Sequence, residues 1–206
     1  MSTTAYAPAA LASQRPSSAG PLVIGLDLSL TSTGVAGDGW ADALRTKHRG
    51  HDRLDWLCRE VAERVRAADL VVVEGAAYGQ GAQAGHHESA GLWWMVTHSL
   101  WKQRIPYAVV NPHSRTIYAT GRANPAQEHP RTKRARIAKG MVRDAAVARY
   151  GVECEGPGRY DQADALILAA MGLDWLGRPL AEVPLTHRRA LDGVDWTLAL
   201  PRAVVR

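Results

Sequence analysis

Phenylalanine is absent from this 206-residue sequence and cysteine occurs only twice. Cys58 and Cys154 cannot build a disulfide framework or a four-ligand zinc site, and such usage suits a reducing cytoplasm. No apolar run approaches the ~18 residues of a bilayer span, so no membrane partner is expected. The first twenty residues lack a basic region and a continuous apolar core, which excludes a secretory signal from the expectation. Their Ser, Thr, Ala and Pro carry one charge, Arg15, and bury too little to offset chain entropy. Residues 1–20 therefore read as a flexible leader. The missing Phe, beside seven Trp, is a bias without a physical explanation.

What is present is ordinary for a globular chain: 46% hydrophobic and 22% charged residues. Lys and Arg number 25 against 20 Asp and Glu, a net charge of +5, which is compatible with a polyanionic partner.

The folded body begins at Pro21. Leu22 to Leu28 is a short apolar run bounded by turn residues and reads as a buried strand. Asp38-Gly39 is a favoured two-residue hairpin turn, which predicts strands over 33–37 and 40–47. Leu54, Leu57, Val61 and Val65 recur at helical spacing, predicting an amphipathic helix over 51–67. Leu70 to Val73 is unbroken aliphatic sequence of the kind found in a central parallel strand. A Gly-rich loop over 75–85 follows, then a helix over 88–104 carrying Trp93, Trp94 and Trp101. The tryptophans read as core, with one of them available for a dimer contact. A strand over 107–110 ends at Asn111-Pro112, and a loop spans 119–132. A basic helix covers 133–150 and a final helix 161–176. The tail from 178 to 206 reads as an extension with one short helix near 187–196. The order predicts an α/β fold: a mixed five-stranded sheet, made of a three-strand antiparallel meander plus parallel strands and flanked by helices, over 21–177. The fourth strand should lie beside the first.

Four carboxylates stand out. Asp27 lies inside Val-Ile-Gly-Leu-Asp-Leu, where burial costs several kcal/mol unless the charge is paired or holds a metal. The lesser alternative is that the strand ends early and Asp27 opens a turn. Glu74 ends the aliphatic strand, where ligands collect in α/β sheets, although a strand-end glutamate is often merely solvated. Asp161 and Asp164 share one helical face at i, i+3. Asp161 could serve only as a helix start, whereas Asp164 precedes an apolar stretch fit to pack on the sheet. Four carboxylates meeting in a dry crevice would repel one another, and hard divalent cations such as Mg²⁺ resolve that. Two such ions can activate water against a phosphodiester.

The runs Ile24-Gly25-Leu26-Asp27-Leu28-Ser29 through Thr33-Gly34-Val35, Val73-Glu74-Gly75, and Asp161-Gln162-Ala163-Asp164-Ala165-Leu166 resemble the three acidic motifs of RuvC-type Holliday junction resolvases, of the RNase H-like superfamily. The resemblance covers about residues 22–176 and looks closest to phage-encoded and actinobacterial-style members. It implies that Asp27, Glu74, Asp161 and Asp164 are catalytic ligands of two Mg²⁺ ions, for which Mn²⁺ would substitute. It implies a homodimer that nicks four-way DNA junctions in recombination and repair, in a bacterial or phage-infected host cytoplasm. Tyr78 matches the family's aromatic that probes the junction centre, and such a residue can stack on a base. Two departures are visible: a longer, Gly-rich loop over 75–87 and an apparent insertion over 125–132.

Residues 131–143 carry six basic residues in thirteen. Beside a two-metal site such a run positions phosphates, though charge runs are also ordinary solvated faces. Lys133 or Arg134 matches a functional lysine of the family, and Arg136, Lys139 and Arg115 complete the DNA-binding candidates. His86-His87-Glu88 reads as a helix start rather than a metal cluster. Two other readings compete. A related nuclease could act on other branched DNA or on RNA. The Gly25–Gly34 segment also resembles the phosphate hairpin of actin-like ATPases and sugar kinases, but those need two lobes and a longer chain.

Overall fold

A computed structural model describes residues 20–76 and 86–200. Five strands form one sheet in the order β3-β2-β1-β4-β5. They are β1 (Val23–Asp27), β2 (Thr33–Gly37), β3 (Trp40–Leu44), β4 (Leu70–Glu74) and β5 (Tyr107–Val110). β1, β2 and β3 form the expected antiparallel meander. β4 lies parallel to β1 and to β5. Asp38 and Gly39 make the two-residue turn, and Gly39 takes a φ of 77°, a left-handed value that its missing Cβ allows. β3 ends at Leu44, three residues short of the expected bound.

Strand alternation sorts the side chains into two layers. Ile24, Leu26, Val71 and Val73 pack in one core with α1 (Gly50–Val65) and α2 (His86–Gln103). Val23, Val72, Ala108 and Val110 point the other way, into the core built by α3 (Pro112–Thr120), α4 (Arg131–Tyr150) and α5 (Arg159–Trp175). Asp27 and Glu74 have the parity of Val23 and Val72. Both therefore belong to the α5 face of the sheet.

α5 is apolar almost all round, and every residue from Ala163 to Asp174 is buried. It lies directly on the sheet because glycines remove the obstructing Cβ atoms. A Cβ at Gly25 would overlap the Ala165 carbonyl oxygen, and one at Gly34 would overlap that of Asp161. Gly172 does the same near the helix's other end, where a Cβ would come within 2.7 Å of Val23 and Val72. This close seat fixes how far the first turn of α5 lies from the ends of β1 and β4.

The structure adds a helix that the pattern reading leaves unassigned. α3 is short, but its ends are well marked: the Asn111 side chain accepts from the His113 N–H, Pro112 takes the first position, and Gly121 closes it at φ 78°. Within residues 178–200 the tail is docked on the fold. Val183, Ala190, Val194 and Ala199 join the α3–α5 core. Its short helix α6 (Leu185–Arg188) brings Arg188 against the fully buried Asp174, at 3.0 and 2.8 Å from its two oxygens. The Tyr118 hydroxyl donates to the same carboxylate at 2.9 Å. Among the described residues no helix is long and apolar enough to cross a membrane.

Candidate active site

Leu26 pairs with Val73 across β1 and β4, so the next residues, Asp27 and Glu74, leave adjacent strands side by side. Each strand end is held. After Asp27 the chain turns, and Thr33 closes that turn through its hydroxyl, which accepts from the Ser29 N–H at 3.1 Å and donates to the Ser29 carbonyl at 2.7 Å. The Glu74 carbonyl accepts from the Trp93 indole of α2 at 2.9 Å, and the Gly75 N–H donates to the Val110 carbonyl. The glutamate backbone is thus tied to α2 while its neighbour is tied to β5.

Asp161 and Asp164 enter from the first turns of α5. Arg115, one turn into α3, completes the group. Its Nε lies 2.6 Å from Glu74 Oε2, and its Nη1 pairs with Asp164 Oδ1. The side chains of this triad are nearly sealed, at 10% exposure for Arg115, 16% for Glu74 and 5% for Asp164. Burial of an arginine to this degree requires carboxylate partners, and it has two.

Asp27 is partly exposed, and the protein packed behind it strips part of the water from its carboxyl. Burial, then the charge of Glu74, pushes its pKa up to about 8, against the opposing charge of Arg115; Asp161 adds to the rise and Lys139 opposes it. Burial also raises Glu74, while Arg115 and Lys139 pull it back. Asp27, Glu74 and Asp161 therefore feel one another as a concentrated negative charge, and α4 contributes Lys139 to the same place. Lys139 is exposed.

Of the expected site residues, Asp27, Glu74, Asp161, Asp164, Arg115 and Lys139 come together. Arg115, expected as a basic candidate after the fifth strand, stands among the carboxylates. Lys133, Arg134 and Arg136 line the exposed first turns of α4, with Arg134 donating to the His129 carbonyl at 2.7 Å. Between α3, the 121–130 loop and α4 is a cavity of about 620 Å³ whose lining includes His113, Asn124, Gln127 and Arg134. Tyr78 lies outside the described residues. The tryptophans divide: Trp93 is partly buried and bonded to β4, whereas Trp94 and Trp101 are 66% and 49% exposed, contrary to the expectation of core. Core periodicity marks a helix face as apolar without saying whether the rest of the chain covers it.

The donor set is entirely oxygen, which suits a hard divalent cation, and the shared negative charge around Asp27 is what such a cation relieves. Among the described residues, no three Asp, Glu, His or Cys side chains are grouped closely enough to hold an ion as they stand. Arg115 meanwhile engages two of the four carboxylates. The residues fit a metal in chemistry, then, provided that the arginine gives way.

A mixed sheet in this order, with α5 on the face that bears the acids, is an RNase H-like arrangement. The solved structures agree. The chain is similar to the Thermus thermophilus RuvC structure with a TM-score of 0.52 at 20% identity, over 79% of this chain and 99% of that one. It is also similar to T. thermophilus RuvC in complex with a Holliday junction substrate, with a TM-score of 0.50 at 21% identity, over 80% and 100% of the two chains. The fold is therefore that of RuvC. No protein-family model matches the sequence, and no curated protein matches it.

Proposed function

We propose that this protein is a divalent-metal-dependent endonuclease that resolves four-way DNA junctions and related branched DNA. Asp27, Glu74, Asp161 and Asp164 would hold two Mg²⁺ ions, with Mn²⁺ as a substitute. When bound, such ions activate a water and stabilise the oxygen leaving the phosphodiester. The protein's own part is positional. Asp27 and Glu74 stand on strand ends that the sheet holds rigid, and Asp161 and Asp164 share one face of a helix pinned to that sheet through Gly25 and Gly34. Lys139 meets the scissile region with a positive charge on a flexible stem. Lys133, Arg134 and Arg136 hold the DNA backbone, supplying affinity without reading sequence. Tyr78 stacks at the junction centre.

The observation that carries this reading is the convergence of acids from β1, β4 and α5 on one face, beside a basic helix. A neighbour in fold, RuvC, has been solved on a Holliday junction, which favours DNA over a nucleotide as the substrate. A homodimer with two such sites is part of the reading, and the exposed Trp94, Met95 and Trp101 on α2 suit an apolar contact between copies. Placement near phage-encoded members, action in a cytoplasm, and the division into a 1–20 leader, a 21–177 nuclease unit and a 178–206 extension rest on the sequence.

The test is cleavage of a four-way junction in Mg²⁺ by wild type, Asp27→Asn and Glu74→Gln, with flap, fork and RNA–DNA substrates alongside. Cleavage by wild type that both variants lose is the expected result. No cleavage of any branched substrate, or normal cleavage by both variants, overturns the reading. ATP hydrolysis in its place would support the phosphate-hairpin alternative.

A further inference from the structure

We propose that Arg115 is a built-in counter-cation that competes with divalent metal for the carboxylates of Glu74 and Asp164. The inference rests on the metal-dependent reading above and concerns how an ion gains that site.

Glu74 comes from β4 and Asp164 from α5, elements that close on each other from two layers of the fold. Two buried carboxylates brought together in this way repel, and a single guanidinium spans them, Nε to Glu74 and Nη1 to Asp164. The guanidinium's charge is delocalised over all three nitrogens, so one side chain can face both acids as an ion pair even though its Nε makes no hydrogen bond to Glu74. An arginine cannot lose its charge at any physiological pH, so it cannot vacate the pair by deprotonating. An ion bridging the same two residues needs the oxygens that Arg115 holds, and it carries charge of the same sign. Occupancy by one therefore disfavours the other, and the coupling is reciprocal.

The placement of Arg115 defines what exchange requires. It lies one turn into α3, its N–H bonded to the Asn111 carbonyl, so the helix start anchors its backbone. Exchange with an ion therefore calls for the side chain, and not the backbone, to move. The apparent affinity for metal is then the intrinsic affinity reduced by the fraction of molecules in which the guanidinium has moved aside.

Manganese binding to the full chain, measured by calorimetry or by electron paramagnetic resonance, tests this in wild type, Arg115→Gln and Arg115→Lys. Arg115→Gln should bind Mn²⁺ at least tenfold more tightly than wild type, with Arg115→Lys between the two. Equal or weaker binding by folded Arg115→Gln overturns the competition and leaves the metal-dependent reading standing. No binding by wild type or variant overturns both. A second measurement reads the wild-type protein itself: the Arg115 Nε–H resonance, assigned by its absence from Arg115→Lys, should be slow to exchange with solvent in EDTA. Saturating Mg²⁺ should abolish that protection. Protection that persists in Mg²⁺ overturns the proposal.

Discussion

Replacing Asp27 by Asn should stabilise the protein at alkaline pH and flatten its response to pH. The carboxyl's pKa is about 8 in the fold, against 3.8 as its ordinary value, because burial and the charge of Glu74 disfavour ionisation. Between these values the folded protein binds a proton that the unfolded chain has released, so stability falls as pH rises through the window from about 4 to 8. One proton over the two pH units from 6 to 8 is worth at most ~2.7 kcal/mol. Partial access of solvent to Asp27 and sharing of the titration with Glu74 reduce this to on the order of 1–2 kcal/mol. Asparagine keeps the shape and cannot ionise. The difference in stability between variant and wild type should therefore grow from pH 6 to pH 8 by that amount, or roughly 2–8 °C in Tm for a chain of this size. Urea or thermal unfolding in EDTA at pH 6, 7 and 8 measures it, and taking the difference removes the histidines' contribution. A difference that is constant with pH, or that shrinks as pH rises, refutes the reasoning.

The close seat of α5 makes Gly34→Ala and Gly25→Ala costly. Each should lose about 3 kcal/mol or more in denaturant unfolding, since the added Cβ meets helix backbone that cannot rotate away. Tyr118→Phe takes a donor from the buried Asp174 and should cost about 1–3 kcal/mol by the same assay. Changing Lys133, Arg134, Arg136 and Lys139 together to Gln should weaken junction binding. It should also lower the slope of log affinity against log salt by roughly 0.9 for each phosphate left without its cation, as read by fluorescence anisotropy across a KCl series. An unchanged slope would make the face of α4 a solvated surface only.

The sheet is legible in the sequence because its signals are local. Asp38-Gly39 marks the hairpin, the aliphatic run 70–73 marks a strand covered on both faces, and the parity of Asp27 and Glu74 follows from period two. The pairing of β1 with β4 needs only the usual crossover rule. α3 escapes such a reading although Asn111-Pro112 and Gly121 are start and stop signals, because nine residues of mixed polarity carry little periodicity between them. With α3 goes the place of Arg115. Its position after β5 makes it a basic candidate, but its two carboxylate partners lie 41 residues before and 49 after it in the chain, and only the packed layers bring the three together. Gly25 and Gly34 sit inside the acidic motifs without a visible role, since a missing Cβ acquires meaning only once the helix that presses on it is known. The exposure of Trp94 and Trp101 is hidden for the converse reason: what covers an apolar face is a property of the assembled molecule.

The most direct measurement is anomalous diffraction from crystals soaked in MnCl₂. Manganese should scatter from among the carboxylates of Asp27, Glu74, Asp161 and Asp164, with the Arg115 guanidinium moved off Glu74 and Asp164. Saturating manganese that leaves no peak between these carboxylates, or peaks only at other residues, would contradict a metal-dependent nuclease centre at this end of the sheet.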